Sequence, residues 1–233
     1  MTSHAINPAL YGKLPFDTEH DYAPIRMLVT IPHILVAHPS LPAKTMKELI
    51  ALARARPGVL NYASFGAGTT SHLAGEMLKM MTHINMVHVP YKGGPAALTD
   101  TIAGNVPLYF AGIAITIPYI HNGRLRGLAV LTLKRSPLLP NVPTMAESAN
   151  LPGYEVASRI TMVAPAGTSK FIIERLSSAT AKALQAHDVD QKIAAMGLDL
   201  VSEGEPERFV PWFRTESAKW TRVIREAGIR AER

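Results

Sequence analysis

Val59-Leu-Asn-Tyr-Ala63-Ser64-Phe65-Gly66-Ala67-Gly68-Thr69-Thr70-Ser71-His72 reads as a short β-type run, a glycine loop rich in hydroxyls, and the opening of a helix. Apolar residues then recur at Leu73, Ala74, Met77, Leu78 and Met81, the spacing of one helix face. A loop that leaves a strand and opens a helix gathers unpaired N–H groups and the positive end of the helix dipole in one place. Gly66 and Gly68 allow a ligand close to the backbone, and Ser64, Thr69, Thr70 and Ser71 add hydroxyl donors. A carboxylate or phosphate fits such a loop; a glycine turn with an ordinary hydroxyl cap accounts for the same residues. The loop lacks the lysine of Gly-x-x-x-x-Gly-Lys-Ser/Thr and has no close match to Gly-x-Gly-x-x-Gly, which weakens a nucleotide reading.

Outward from this stretch, β-type and helical runs alternate. Upstream, Leu28 to Ala37 reads as a strand, with Pro32 marking an edge or an irregularity. Thr45 and Glu48 form a capping box at the start of a helix that Pro57-Gly58 ends. Downstream, Ile84 to Val89 is a strand, Pro90 to Gly94 a loop, and Pro95 opens a helix to about Ala103. Val106 to Phe110 and Leu125 to Thr132 are strands separated by a helical Ile113–His121. Arg135 to Tyr154 is proline-rich loop with one turn capped by Thr144 and Glu147. Val156 to Ala164 is a strand, helices follow from Thr168 or Ser169 to about Ala186 and over Val189 to Met196, and a last helix carries Phe209, Trp212, Phe213, Trp220, Val223 and Ile224 on one stripe. This alternation predicts an α/β fold with a mostly parallel sheet flanked by helices and ligands at the carboxyl ends of strands.

Composition removes several function classes. The chain has 233 residues, 47% apolar and 18% charged, with no cysteine, so disulfides, thiol catalysis and zinc–thiolate sites are excluded. No apolar run approaches the roughly 18–20 residues that span a bilayer, and the start, Met1 to Pro8, lacks the basic patch and apolar stretch of a secretion signal. The net charge of +6 is dispersed rather than clustered, and aromatics make up 6%, which argues against nucleic acid and for small anions.

A second loop, Val89 to Pro95, offers the Tyr91 phenol, the Lys92 cation and the amides of Gly93 and Gly94; Lys92 is equally a solvated surface charge. A third, Phe110-Ala111-Gly112-Ile113, offers only backbone and shape. Catalytic signals are poor: Ser64 and His72 form a conceivable nucleophile and base, but no Gly-x-Ser-x-Gly elbow exposes the serine. The histidine pairs 33/38 and 83/88 are five apart, on opposite faces if extended, and no His-Glu-x-x-His pattern is present, which argues against a metal.

The motifs His4-Ala-Ile-Asn-Pro-Ala-Leu-Tyr11, His38-Pro-Ser40, Leu60-Asn-Tyr-Ala-Ser64 with its glycine loop and His72-Leu-Ala74, His88-Val-Pro-Tyr-Lys-Gly93, Ala129-Val with Arg135-Ser-Pro and Val142-Pro-Thr144, and Ala164-Pro-Ala-Gly-Thr168 stand in order through nearly the whole chain. Together they resemble the Bug-type periplasmic solute-binding proteins, the receptors of tripartite tricarboxylate transporters. The resemblance implies a two-lobed, Venus-flytrap architecture, with residues 1–36 and 161–233 in lobe 1 and 37–160 in lobe 2. It implies an extracytoplasmic receptor for a small carboxylate, periplasmic, monomeric and without a cofactor, with membrane subunits of a transporter as partners. Carried over residue by residue, the ligand contacts are Ser64, Gly66, Gly68, Thr69, Thr70 and His72 on the glycine loop, Tyr91, Lys92 and Gly93 on the second loop, Ala111 on the third, and Ser3 and His4 on a first-lobe loop.

Three departures from the family pattern shape the expectations. The family's export signal and early strand–helix unit precede the point where this sequence starts, so lobe 1 is expected to be incomplete, with low stability or self-association. Phe110-Ala111-Gly112 stands where the family often carries Phe-Asp-Asn, which favours an anionic or neutral-bodied ligand over an amine. Arg159 stands at a common tryptophan, and its planar fork suits the distal acid group of a dicarboxylate or aromatic acid; a surface arginine on a strand end is the plainer reading. The competing functions are an α/β hydrolase-like enzyme using Ser64 and His72, and a nonfunctional fragment of a binding protein.

Overall fold

A computed structural model describes residues 1–230. In chain order the elements are α1 (Thr2–Tyr11), β1 (Tyr22–Ala37), α2 (Met46–Ala55), β2 (Asn61–Ser64), α3 (Thr70–Thr82), β3 (Val87–Pro90), α4 (Gly94–Ile102), β4 (Leu108–Gly112), α5 (Ile113–His121), β5 (Arg126–Val130), α6 (Met145–Ala149), β6 (Ala157–Pro165), α7 (Lys170–Leu184), α8 (His187–Ala195), β7 (Asp199–Leu200) and α9 (Pro206–Glu226). They fall into two compact units. Unit 1 is Met1–Ile31 with Ser158 onward, and unit 2 is Pro32–Ala157. These divisions lie a few residues N-terminal to the ones expected from the sequence, because β1 changes unit in mid-strand, at Pro32, which has no N–H to give a ladder.

In unit 1, β6 and β7 both pair with β1, β7 antiparallel through Val29–Leu200 and Thr30–Asp199. Helix α9 buries Phe209, Phe213, Trp220, Val223 and Ile224 along one stripe, whereas Trp212, expected on the same stripe, is only half-buried. Helix α1 lies against α9 and buries Ala5, Ile6 and Leu10, with the Ser217 hydroxyl donating to the Ala5 carbonyl at 3.1 Å. The indole N–H of Trp220 is satisfied by Glu216 at 2.9 Å, which lets so large a side chain be fully buried.

In unit 2 the sheet order is β3-β2-β4-β1-β5. Strands β3, β2 and β4 run parallel, in register through Tyr62–His88 and Tyr62–Leu108, while β1 is antiparallel to β4 and to β5. The expected parallel arrangement therefore holds for β3, β2 and β4 and ends at β1, which runs antiparallel to both of its neighbours in this sheet. Ile34, Val36, Ala63, Tyr109, Ala111 and Val130 form the centre of the core, with Ala97 and Leu98 of α4 and Ile113 of α5 packed on it. Helix α3 is buried from Thr70 to Leu78, and Gly75 lets it meet the ring of Tyr62: a Cβ there would lie 2.3 Å from the ring.

Both capping motifs are present, in different forms. Thr144 and Glu147 make the reciprocal box, at 3.1 and 2.8 Å, that opens α6. At α2 the Thr45 hydroxyl accepts from Glu48 N–H at 3.2 Å, but Glu48 reaches one residue further back, to the N–H of Lys44 at 2.6 Å.

Candidate functional site

The parallel strands β3, β2 and β4 end side by side, and each is followed by a helix. Chain order reverses between β2 and β4, the kind of position where open α/β sheets leave a crevice beyond the strand ends. Three helix N-termini meet there. The N–H of Tyr91 donates to the Ser64 carbonyl at 3.1 Å, tying the second loop to the first. The Ser71 hydroxyl donates to the Phe110 carbonyl, and Tyr109 donates to the Gly94 carbonyl at 3.4 Å, which brings in the ends of β4 and α4.

None of α3, α4 and α5 carries an acidic residue in its first turn. At α3 the Thr69 hydroxyl caps the N–H of His72. At α4 and α5 the N-caps are Gly93 and Gly112, which have no side chain to offer, so neither helix start is capped by its N-cap residue, and Pro95 removes one amide from the first turn of α4. The result is a concentration of positive helix ends that nothing on these turns neutralises.

The glycine loop spends much of its own hydrogen-bonding capacity on its shape. Ser64 Oγ is fully buried, accepts from Gly66 N–H at 3.1 Å and lies 2.6 Å from His88 Nε2. Thr69 Oγ1 donates to the Gly66 carbonyl at 2.6 Å, and the N–H of Gly68 donates to His72 Nδ1 at 3.1 Å. Gly66 and Gly68 have φ of 141° and 72°, conformations that L side chains avoid, so the turn depends on both glycines.

These bonds reassign several expected contacts. The Ser64, Thr69 and Ser71 hydroxyls and the Gly66 and Gly68 amides all make hydrogen bonds within the protein. His72 is buried, with its ring stacked on His88 at 3.7 Å between centroids. The Ser64–His72 pair of the enzyme reading does not form, because the imidazole beside Ser64 belongs to His88. Thr70, the first residue of α3, is also buried.

On the second loop, Gly93 is the N-cap of α4 at φ 107° and Lys92 is exposed. The Tyr91 phenol donates to Asp100 at 2.7 Å, and burial, with that carboxylate beside it, pushes its pKa up to about 12. Ala111 lies within β4 rather than on a loop, its methyl in the core opposite Ile34, so the backbone end of β4 is what this segment presents.

The expected residues of unit 1 sit on different elements. Ser3 and His4 are in helix α1, not in a loop; Ser3 is exposed, and His4 packs against Phe16 and edge-on to Tyr22, at 5.9 and 5.4 Å. Arg159 is on β6, its guanidinium 5.1 Å over the Trp212 ring and 3.8 Å from Met27 Sδ. It lines a hollow of about 410 Å³ with Thr30, Ser202, Glu203, Arg208 and Trp212. Arg208 pairs with Glu203 at 3.0 Å, whereas Arg159 has no carboxylate partner among the described residues.

Sequence reasoning missed His88, and missed Glu76, which accepts from the Tyr62 phenol at 2.6 Å and lies 3.8 Å from His72 Nε2. The alternation of β3 gives a signal for His88, since it is paired in register with Tyr62 and faces the same way. The start of α5 is the third loop expected from the sequence, and it offers backbone alone.

The comparisons with known proteins agree with this architecture. The family profile described as tripartite tricarboxylate transporter family receptor matches residues 1–229. The chain belongs to that family. A relative of this receptor is the UPF0065 protein in the tcbD-tcbE intergenic region of Pseudomonas sp. (strain P51), 34% identical over 230 residues, covering 99% of this chain and 68% of that one. Among solved structures, an R. palustris protein with adipate superposes with a TM-score of 0.85 at 34% identity, over 98% of the receptor and 76% of that chain. MatC from Rhodopseudomonas palustris with bound malate gives 0.81 at 26% identity, over 95% and 76%.

Proposed function

We propose that this receptor binds a small dicarboxylate outside the cytoplasm, in the periplasm, and delivers it unchanged to the membrane subunits of a tripartite transporter. One carboxylate sits at the strand ends of unit 2, accepting hydrogen bonds from first-turn amides of α4 and α5, with α3 adding its dipole. The observation that carries the reading is the meeting of three helix N-termini with no acidic residue in any first turn. Family membership supports the same reading, as do two similar structures that hold adipate and malate. With Ala111 in the core, no acid from this segment is available to an amine, which favours acids over amino acids.

The test is calorimetry of the purified chain with adipate, malate and an uncharged amide of each. The acids bind with one site and are recovered intact, and each amide loses at least about tenfold in affinity with its charge. Equal affinity for acid and amide overturns the anion cradle, and conversion of either acid to a product overturns the receptor reading.

A further inference from the structure

Behind the glycine loop of unit 2 lies a layer of ionisable side chains that carboxylate binding does not itself use. The His72 ring stacks on His88 at 3.7 Å with 8° between planes, and His88 stacks on Tyr62 at 5.1 Å. Tyr62 donates to Glu76 Oε1 at 2.6 Å, Lys79 pairs with the same oxygen at 2.8 Å, and His72 Nε2 is 3.8 Å from it. On the other side the rings meet the loop. The Gly68 N–H donates to His72 Nδ1, and the Gly66 N–H donates to Ser64 Oγ, which rests against His88 Nε2. Two loop amides thus end on imidazole nitrogens, one directly and one through a hydroxyl.

We infer that His72 and His88 are positioning residues, a stacked pair of neutral imidazoles that holds the glycine loop in its ligand-ready shape, and that protonating His72 releases it. The inference rests on the carboxylate reading of this loop for its effect on affinity, but not for its effect on the loop. Because Gly68 donates to Nδ1, that nitrogen must keep its lone pair, and the ring proton belongs on Nε2, facing Glu76. A doubly protonated His72 turns two N–H groups toward each other and breaks the bond. Stacking places two rings where a charge on both is strongly opposed.

The neighbours favour the neutral state. Tyr62 faces the pair from β2, and Glu76 and Lys79 face it from α3. Burial, then the Lys79 charge, lowers the His72 pKa to about 4. Burial also lowers His88 to about 4, with His72 and Lys79 adding to the effect and Glu76 opposing it. At neutral pH both rings are therefore acceptors as well as donors, as the loop requires.

The experiment has two independent readouts on the full chain. The first, without ligand, is amide hydrogen exchange at Gly66 and Gly68 by NMR. His72→Leu speeds exchange at Gly68 by at least about tenfold and His88→Leu does so at Gly66. His72→Asn, which keeps an acceptor near the Nδ1 position, recovers most of the Gly68 protection. Unchanged exchange at both amides in folded leucine variants overturns the inference. The second readout is adipate affinity against pH, as the ratio of wild type to His72→Asn, in which the protonation of adipate itself cancels. The ratio is level above about pH 6 and falls below about pH 5; a ratio level down to about pH 4 overturns the release by protonation. If the leucine variants fail to fold, the Gly68 protection factor in wild type, its exchange rate set against that of an unstructured chain at the same pH, decides the matter, since it must fall as His72 takes up its proton, and fall further than at other amides of unit 2. If wild type binds no adipate while Gly68 exchange follows His72, the positioning role stands and the carboxylate reading falls.

Discussion

Gly68, at φ 72°, holds its turn in a conformation that costs other residues about 1–2 kcal/mol, and its amide is the one anchored on His72. Gly68→Ala is therefore expected to weaken adipate binding by at least about fivefold with little change in the far-UV spectrum; calorimetry checks it. Ser64→Ala removes the link between Gly66 and His88 without creating a large void, and should lower affinity less than Gly68→Ala does. At this scale the sequence marked the strand, glycine turn and helix start that the structure shows at residues 61–72. It did not disclose which donors face outward. That depends on His72 and His88 meeting from two elements 16 positions apart in the chain, a contact local spacing cannot express.

Helices α3, α4 and α5 share a position at the strand ends but differ in how their first turns are satisfied, Thr69 capping α3 while the glycine N-caps of α4 and α5 offer no side chain. The Thr144 box of α6 is a conventional counterpart: Thr144→Ala leaves Glu147 N–H without its cap and should cost about 1 kcal/mol, read from denaturant midpoints. Gly75→Ala in α3 forces a methyl group to 2.3 Å from the Tyr62 ring, and an expected loss of about 1–3 kcal/mol should appear in the same measurement despite the better helix propensity of alanine. Most strands and helices were legible from their periodicity, within a few residues. Helix α1 was not, since Pro8 lies inside it and no side chain caps its start. Strand β7 is two residues long and exists by pairing with β1, so no pattern could mark it.

For the molecule as a whole, three histidines, His33 and His72 buried and His88 half-buried, set a shared response to acid. Burial lowers His33, His72 and His88 to about 4. In the unfolded chain the same groups take up protons near pH 6.5, so between those values the unfolded state binds more protons and stability rises with pH. The native state is thus expected to be fully stable above about pH 6.5 and to lose up to about 1.4 kcal/mol per pH unit for each of His33 and His72, and less for the half-buried His88, as pH falls toward 4. Denaturant midpoints measured from pH 7 to pH 4 should fall steadily; a midpoint independent of pH would show that these rings are not held neutral. The two-unit plan was legible because the motif order runs the length of the chain. Its sheet directions were less so, because β1 pairs with strands remote in sequence and its direction relative to them is set by the route of the chain.

The sheet of unit 2 ends in β3 and β5, of four and five residues. Such brief borders give an incoming chain little backbone to align with, and Pro90 closes β3 with a residue that has no hydrogen to donate. Concentrated samples should consequently resist zipping together along this sheet, and any fibrillar growth would have to begin from somewhere else in the molecule.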